Sequence, residues 1–203
     1  MKDEFGRQRV VIEGVRPEID GGRFPIKRTV GEEVVVEADV FADGHDVITV
    51  LLQYRHEGTV TWTEIPMTFL NNDRWRASFT VTGLGRWCYT ITGWVGHFAT
   101  WRGGLLKKLE AKQDVQVDLL IGAKLIEDAS RRATTEARHT LATWGKTLAS
   151  GDTPEVERIR LALSAELETV MARYPDRRVA TTYDRELAVV VDREKAGDEF
   201  THI

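Results

Sequence analysis

Three features that would each assign a chain to a class of protein are scarce or missing here. Cys88 is the only cysteine among the 203 residues, so an internal disulfide is excluded and a reducing compartment is compatible with the chain. No segment approaches the roughly twenty apolar residues of a membrane span. The N-terminal sequence MKDEFGRQRVVIEG also lacks the uninterrupted apolar region of a signal peptide. We therefore expect a cytoplasmic protein with no membrane partner.

The chain also lacks a strong net charge. It has 28 basic and 32 acidic residues and a formal net charge of −4. Proteins that bind nucleic acids usually show a marked positive field, so we expect no nucleic-acid partner. The apolar content of 42% is ordinary for a soluble core, and this length holds one large domain or two small ones.

Familiar catalytic and metal-binding motifs are missing from the sequence. It has no glycine-rich phosphate loop, no His-x-x-x-His pair and no cysteine cluster, and its five histidines are scattered. Asp43, Asp46 and Asp73 lie in predicted turns, where such residues usually bond their own backbone. We therefore predict no catalytic residue, no cofactor and no metal ligand in this chain.

The first half of the chain carries the alternation that is typical of half-buried strands. Val34, Val36, Ala38 and Val40 share one face of a predicted strand, and the segment 74–81 alternates in the same way. Turn signals separate further short apolar segments, including 47–54 and 62–69. This spacing predicts an antiparallel, immunoglobulin-like β-sandwich of two sheets.

The second half changes abruptly to helical spacing, which makes the overall fold class α+β. We predict about three helices, after a short helical segment at 105–111. Their apolar stripes are Val117, Leu120, Ile121 and Leu125; then Ala137, Leu141, Trp144 and Leu148; then Val156, Ile159, Leu163, Leu167, Val170 and Tyr174.

The segment 186–192 returns to strand chemistry, and a single strand is not stable alone. We therefore predict that the helices are an insertion before the last strand of the sandwich. The expected domains are a β-sandwich of residues 1–103 and 180–196, a helical insertion of residues 104–179, and a tail of residues 197–203.

Aromatic residues are concentrated in the stretch 85–101, GRWCYTITGWVGHFATW. Trp87 and Tyr89 alternate with other apolar residues, so we predict that both are buried. Trp94, His97 and Trp101 break that alternation or lie beyond it. Sugars stack on exposed indole rings, so these three residues are candidate glycan or interface contacts. Packing in the core is the alternative interpretation.

Three segments together resemble a known family. They are VIEGVRPEIDGGRFP at 11–25, NDRWRASF at 72–79 and WVGHFATW at 94–101. The chain resembles the N-terminal region, domains N and S, of bacterial α-1,4-glucan:maltose-1-phosphate maltosyltransferases of the α-amylase superfamily, over most of residues 10–196. The resemblance implies a β-sandwich with a helical domain inserted before its last strand, which agrees with the pattern above.

The resemblance also implies a function. In this family the region precedes a catalytic barrel that transfers maltosyl units from maltose 1-phosphate to the non-reducing end of an α-glucan, with retention, and it helps to build the homodimer. The sequence ends at Ile203 before any barrel, so we expect a region that is inactive alone and serves dimer assembly and support of the barrel. Gly96 occupies a position where the family leads us to expect an acidic residue.

Two alternatives to this function come from different classes. One is an independent α-glucan-binding module that uses Trp94, His97 and Trp101. The other is an interaction protein that pairs with an intact maltosyltransferase through its helices. The expected partners are accordingly a second copy of the chain, an intact maltosyltransferase, or an α-glucan.

Overall fold

The computed structural model of the chain describes residues 9–44 and 46–193, so the predicted tail 197–203 lies outside the described residues. The chain forms two compact units. The sheet unit consists of Arg9–Ala42, Thr49–Trp94 and residues 180–193, and the helical unit of Asp43–Ile48 and Val95–Val179. Within the described ranges, every helix is too short or too polar to cross a membrane.

The sheet unit contains two sheets. In chain order its strands are β1 (Val11–Arg16), β2 (Ile26–Thr29), β3 (Glu33–Phe41), β4 (Ile48–His56), β5 (Thr63–Pro66), β6 (Thr68–Asn71), β7 (Arg74–Thr80), β8 (Gly85–Val95), β9 (Thr181–Thr182) and β10 (Leu187–Asp192). The first sheet has the order β1-β3-β7-β6. The second has the order β2-β10-β8-β4-β5, and β9 also pairs with β8.

The two sheets pack face to face around a common core. The predicted alternation in β3 is confirmed, because Val34, Val36 and Ala38 are fully buried. Tyr54 of β4 stacks on Phe79 of β7 with the ring centroids 4.5 Å apart, which joins the two sheets directly. The predicted α+β sandwich is therefore confirmed.

The last strand completes the second sheet, as predicted. β10 lies between β2, to which it is parallel, and β8, to which it is antiparallel. Val189 is thereby opposite Ile26 on one side and Trp87 on the other. Since β10 follows the helices in sequence, the helical unit is an insertion before the final strand of the sandwich.

The predicted strand 62–69 is divided between the two sheets. β5 ends at Pro66 and pairs with β4, whereas β6 begins at Thr68 and pairs with β7. Met67 is the buried residue between them. Proline has no N–H for a strand ladder, and β5 is accordingly an edge strand.

The helical unit contains five α-helices in its described part, where the sequence predicts about three. They are α1 (His97–Glu110), α2 (Gln116–Arg132), α3 (Thr135–Ala149), α4 (Glu155–Ala162) and α5 (Ala165–Arg173). The helix predicted from residue 105 starts at His97 instead. The last predicted helix is divided because the Ser164 side chain accepts a hydrogen bond from the Leu167 backbone N–H at 3.2 Å and so caps a new helix.

The core of the helical unit agrees with only part of the predicted pattern. The α3 stripe is confirmed, because Leu141 and Leu148 are buried and Ala137 and Trp144 pack against the same core. The α2 stripe is wrong, since three of its four members, Val117, Leu120 and Ile121, are exposed. Val156 of α4 is exposed as well, so its predicted burial is also wrong.

Candidate functional site

The exposed side chains of α2 form the most distinctive apolar surface of the helical unit. Val117, Leu120 and Ile121 are 67%, 53% and 38% exposed, and their i, i+3, i+4 spacing places them on one ridge of the helix. We call this ridge the α2 outer face. Contiguous exposed apolar surface of this kind usually marks a site of interaction.

The opposite side of α2 explains why these large residues remain outside. Leu119, Ala123 and Ile126 are buried there, and they repeat at helical spacing just as the outer residues do. A Cβ at Gly145 of α3 would lie 3.4 Å from the carbonyl oxygen of Ala123, so glycine permits a close approach of the two helices. Close packing therefore selects the face on which the small residues Gly122 and Ala123 accompany Leu119 and Ile126, and the face with only large aliphatic residues stays on the surface.

Charged residues of α2 are already paired with neighbours within the helical unit. Lys108 Nζ lies 2.8 Å from Asp118 Oδ1, and Lys124 Nζ lies 2.9 Å from Asp128 Oδ1. The α2 helix therefore carries both signs of charge in local pairs beside an apolar ridge. An apolar centre with a polar surround is the usual composition of a protein–protein interface.

Trp101 of α1 contacts α2 through a hydrogen bond and through packing of its ring. Its indole N–H donates a hydrogen bond to the backbone oxygen of Asp118 at 2.8 Å. Its ring covers Gly122, where an added Cβ would lie 2.5 Å from Cη2 and 2.7 Å from Cε2. Phe98 contributes a second ring, with its centroid 5.4 Å from that of Trp101. Trp101 is half-buried by this packing.

The other two predicted contact residues occupy different settings. His97 is the first residue of α1, one helical turn before Trp101, and is half-buried. Trp94 lies in β8 of the sheet unit and is only 4% exposed. The structure therefore places His97 and Trp101 on successive turns of one helix, and it buries the Trp94 ring.

The first half of the aromatic stretch is buried as predicted. Trp87 and Tyr89 of β8 both lie in the sandwich core. The Tyr89 hydroxyl donates a hydrogen bond to the backbone oxygen of Pro17 at 2.5 Å, and burial raises the pKa of this phenol above its ordinary value. These two residues therefore stabilise the sandwich.

Arg158 is a buried cation that the sequence pattern did not reveal. It is only 6% exposed and lies in α4. One of its terminal nitrogens donates to the Gln116 side-chain oxygen at 2.9 Å, and the Gln116 amide in turn donates to Glu155. A neutral amide thus connects the guanidinium to a carboxylate, which holds the first turns of α2 and α4 together.

The glycine-containing loop after β1 has a structural role in the sheet unit. Glu18 accepts hydrogen bonds from the Tyr183 hydroxyl at 2.8 Å and from Arg185 at 3.1 Å. Burial and the bond to Glu18 raise the pKa of Tyr183 to about 12. A Cβ at Gly22 would lie 2.8 Å from Leu187 Cδ2, so the loop packs closely against the start of β10. The loop between β1 and β2 therefore contacts the segment 183–187, which follows the helices in sequence, through hydrogen bonds and close packing.

The described residues contain no group of three or more histidine, cysteine, aspartate or glutamate side chains that could hold a metal ion. The chain is thus a sandwich interrupted by a small helical unit that carries an exposed apolar ridge.

Comparison with known proteins identifies the family of this chain. Residues 8–193 match the family model described as alpha-1,4-glucan:maltose-1-phosphate maltosyltransferase, domain N/S. The match covers more than half of the chain, and the chain belongs to this family.

Curated relatives carry the same name. The chain is 48% identical to the alpha-1,4-glucan:maltose-1-phosphate maltosyltransferase of Chlorobaculum tepidum over 192 residues, which cover 95% of this chain and 28% of the relative. The Myxococcus xanthus enzyme is 42% identical over 92% of this chain and 29% of its own length. Enzyme 1 of Streptomyces coelicolor is 33% identical over 93% of this chain and 28% of its own length. The chain therefore spans less than a third of the length of these relatives.

Proposed function

We propose that this chain acts as the non-catalytic N/S region of a cytoplasmic maltosyltransferase that extends α-1,4-glucans from maltose 1-phosphate. In this role it supports the catalytic domain and joins two copies of the protein into a homodimer. The family membership supports the parent activity. The observation that carries the assembly role is the exposed α2 outer face.

A second copy of the chain is a suitable occupant for this face. In a dimer with two-fold symmetry the same surface patch is used by both copies, so it must be complementary to itself. The α2 outer face meets this requirement because its apolar ridge is matched by the same ridge on a second copy. The Lys124–Asp128 and Lys108–Asp118 pairs give each copy both signs of charge near the ridge.

The test is the association of the 203-residue chain measured by sedimentation equilibrium. We expect a monomer–dimer equilibrium, and we expect Leu120→Glu to weaken it at least tenfold, because burying an unpaired carboxylate in an apolar interface costs several kcal/mol.

Val60→Glu is the matched control, since Val60 is 87% exposed and lies in the sheet unit. This variant should associate like the unchanged chain. A chain that stays monomeric at all concentrations, or one for which Leu120→Glu and Val60→Glu behave alike, would contradict the assembly role.

The non-catalytic role has its own test. The purified chain, mixed with maltose 1-phosphate and glycogen, should release no phosphate above the background without protein. Release that increases with the concentration of the chain would refute this part of the proposal.

An independent α-glucan-binding module is the second candidate, and the half-buried ring of Trp101 beside His97 is the observation that favours it. Titration with maltohexaose, followed by tryptophan fluorescence, separates the candidates: a glycan module gives a saturable change that Trp101→Phe reduces, whereas an assembly region gives none.

Pairing with an intact maltosyltransferase through the helices predicts co-purification of the chain with that enzyme, and Leu120→Glu should abolish it.

A further inference from the structure

A groove lies on one side of the sandwich, where the first sheet is incomplete. We call it the side groove; it has a volume of about 450 Å³ and is lined by Arg16, Glu18, Ile19, Arg28, Glu33 and Val35. All of these residues belong to the sheet unit. None of them belongs to the α2 outer face, so the side groove is independent of the assembly surface.

The groove lies where β3 has an uncovered edge. β1 pairs with β3 only at positions between Glu37 and Phe41, because β1 ends at Arg16. The four residues Glu33–Val36 pair with β7 on one side. On their other side no described strand pairs with them, and no backbone hydrogen bond joins them to the segment 17–19. An uncovered edge of this kind is a template for an added strand.

Apolar side chains line the groove next to this edge. Val35 and Ile19 are each 45% exposed. The outward positions 33, 37 and 39 of β3 are acidic, and those at Glu37 and Asp39 are in ion pairs with arginines of β7. Phe41, the last outward position, is opposite Val11 of β1. Charged side chains usually protect an edge from pairing. Val35 is therefore the uncharged outward position in the part of β3 that β1 leaves uncovered.

The groove charges that lie outside ion pairs are positive on balance, because Arg16 and Arg28 stand against Glu33 alone. Neither Arg16 nor Arg28 forms an ion pair with any residue in the part of the chain that the structure describes, and Arg28 donates only to the backbone oxygen of Lys27, at 2.8 Å. Glu18 accepts from the Tyr183 hydroxyl and is paired with Arg185. Glu33 accepts a hydrogen bond from the neutral Ser78 hydroxyl and so keeps its negative charge. The groove therefore offers two guanidinium groups to an acidic ligand.

We propose that the side groove binds an extended acidic peptide segment with alternating apolar side chains, which adds as a strand beside Glu33–Val36. Main-chain hydrogen bonds to the uncovered edge hold the segment, as in other cases of strand addition. Its apolar side chains contact Val35 and Ile19, and its carboxylates pair with Arg16 and Arg28. Four residues of β3 span about 13 Å, which corresponds to a segment of about four residues.

The test uses two synthetic hexapeptides and the isotope-labelled 203-residue chain. One peptide alternates glutamate with valine, and the other alternates lysine with valine. We expect the acidic peptide to bind saturably and to shift the backbone amide resonances of Glu33–Val36. The lysine peptide should bind at least tenfold more weakly, and added salt should reduce the difference between them.

Three variants separate this binding from nonspecific adhesion. Val35→Lys should weaken binding of the acidic peptide at least fivefold, whereas Val11→Lys, at a similarly exposed position of β1, should leave it unchanged. Arg28→Glu should invert the preference between the two peptides. The proposal is overturned by no saturable binding at millimolar peptide, by equal affinity for both peptides, or by equal effects of the two lysine variants.

Discussion

The contact between Trp101 and Gly122 leads to a prediction about Gly122→Ala. This substitution should destabilise the chain when the Trp101 ring is present and stabilise it when the ring is removed. Gly122→Ala introduces a Cβ at 2.5 Å from Cη2 of Trp101 and 2.7 Å from Cε2, so the ring or helix α2 must shift. Overpacking of this kind costs about 1–3 kcal/mol. Displacement of the ring also weakens the indole hydrogen bond to Asp118, which contributes about 1 kcal/mol.

An opposing term comes from helix propensity. Alanine in place of glycine inside a helix stabilises it by about 1 kcal/mol. The net effect of Gly122→Ala is therefore a loss of about 1–3 kcal/mol in the free energy of unfolding. With a urea dependence of about 2 kcal/mol per molar, the unfolding midpoint should fall by about 1 M. Urea titration followed by far-UV ellipticity, which reports mainly the helical unit, measures this shift.

One control variant and one control background test whether the Trp101 ring causes the destabilisation. Gly104→Ala in α1 introduces a Cβ with no atom within 4 Å, so it should stabilise the chain by about 0.5–1 kcal/mol. In a Trp101→Ala background the obstruction is gone, and Gly122→Ala should then stabilise by a similar amount. If Gly122→Ala remains equally destabilising without the Trp101 ring, the steric reasoning is wrong.

Three further predictions concern a helix cap, a hydrogen bond and an ion pair. Gly96 precedes α1 and makes no side-chain cap, and the first turn of α1 has no acidic residue. Gly96→Asp should therefore raise the free energy of unfolding by about 0.5–1 kcal/mol. An unchanged urea midpoint would contradict this. Tyr183→Phe removes the hydroxyl that donates to Glu18 and should cost about 1–2 kcal/mol in the same assay, whereas no loss would show that the bond is not stabilising. A hydrogen bond from Arg178 lowers the pKa of Asp176 from 3.8 to about 2; the ionised carboxylate therefore stabilises the folded chain above about pH 4 and loses this effect as the pH falls toward 2. Asp176→Asn should flatten the decline of thermal stability in that window, and an identical decline in both proteins would refute the assignment.

The sandwich was predictable because its strands have only one buried face. In β3 the valines at 34 and 36 alternate with exposed residues, and a period of two then fixes which side faces the core. The β-branched segment 186–192 predicted the return of the chain to the sheet in β10 because a single strand is not stable alone, and the resemblance implied the same order of elements. Pro66 indicated an edge or a bulge within the segment 62–69, but its division between two sheets was not predictable, since the partner strands of β5 and β6 belong to different sheets.

The α2 helix shows why the helical part was harder to predict. It has two apolar stripes with the same period, one containing Leu120 and the other Leu119. Local hydrophobicity does not distinguish them. The choice is made by Gly122 and Gly145, because only the side with small residues allows Trp101 and α3 to approach. The burial of Arg158 likewise depends on Gln116, which is distant in sequence.

The candidate contacts at 94, 97 and 101 show the limit of reasoning from one strand or one helix. The sequence correctly placed a concentration of aromatic residues at the end of β8. It did not distinguish the buried ring of Trp94 from the half-buried ring of Trp101. That difference depends on neighbours such as Gly122, which are far along the chain.

The position of β10 also has a consequence for how the protein is made. Among the described strands β2 lies at the edge of its sheet and pairs only with β10, so the ladder that joins Ile26 to Val189 forms only after β10 has been synthesised. A ribosome must therefore synthesise the whole helical unit while the edge of β8 that later receives β10 stays open. Such long-range pairings form late, and unpaired edges expose a nascent chain to aggregation. We expect early folding of the helical unit to speed completion of the sandwich during translation, because it shortens the effective distance between the separated strands.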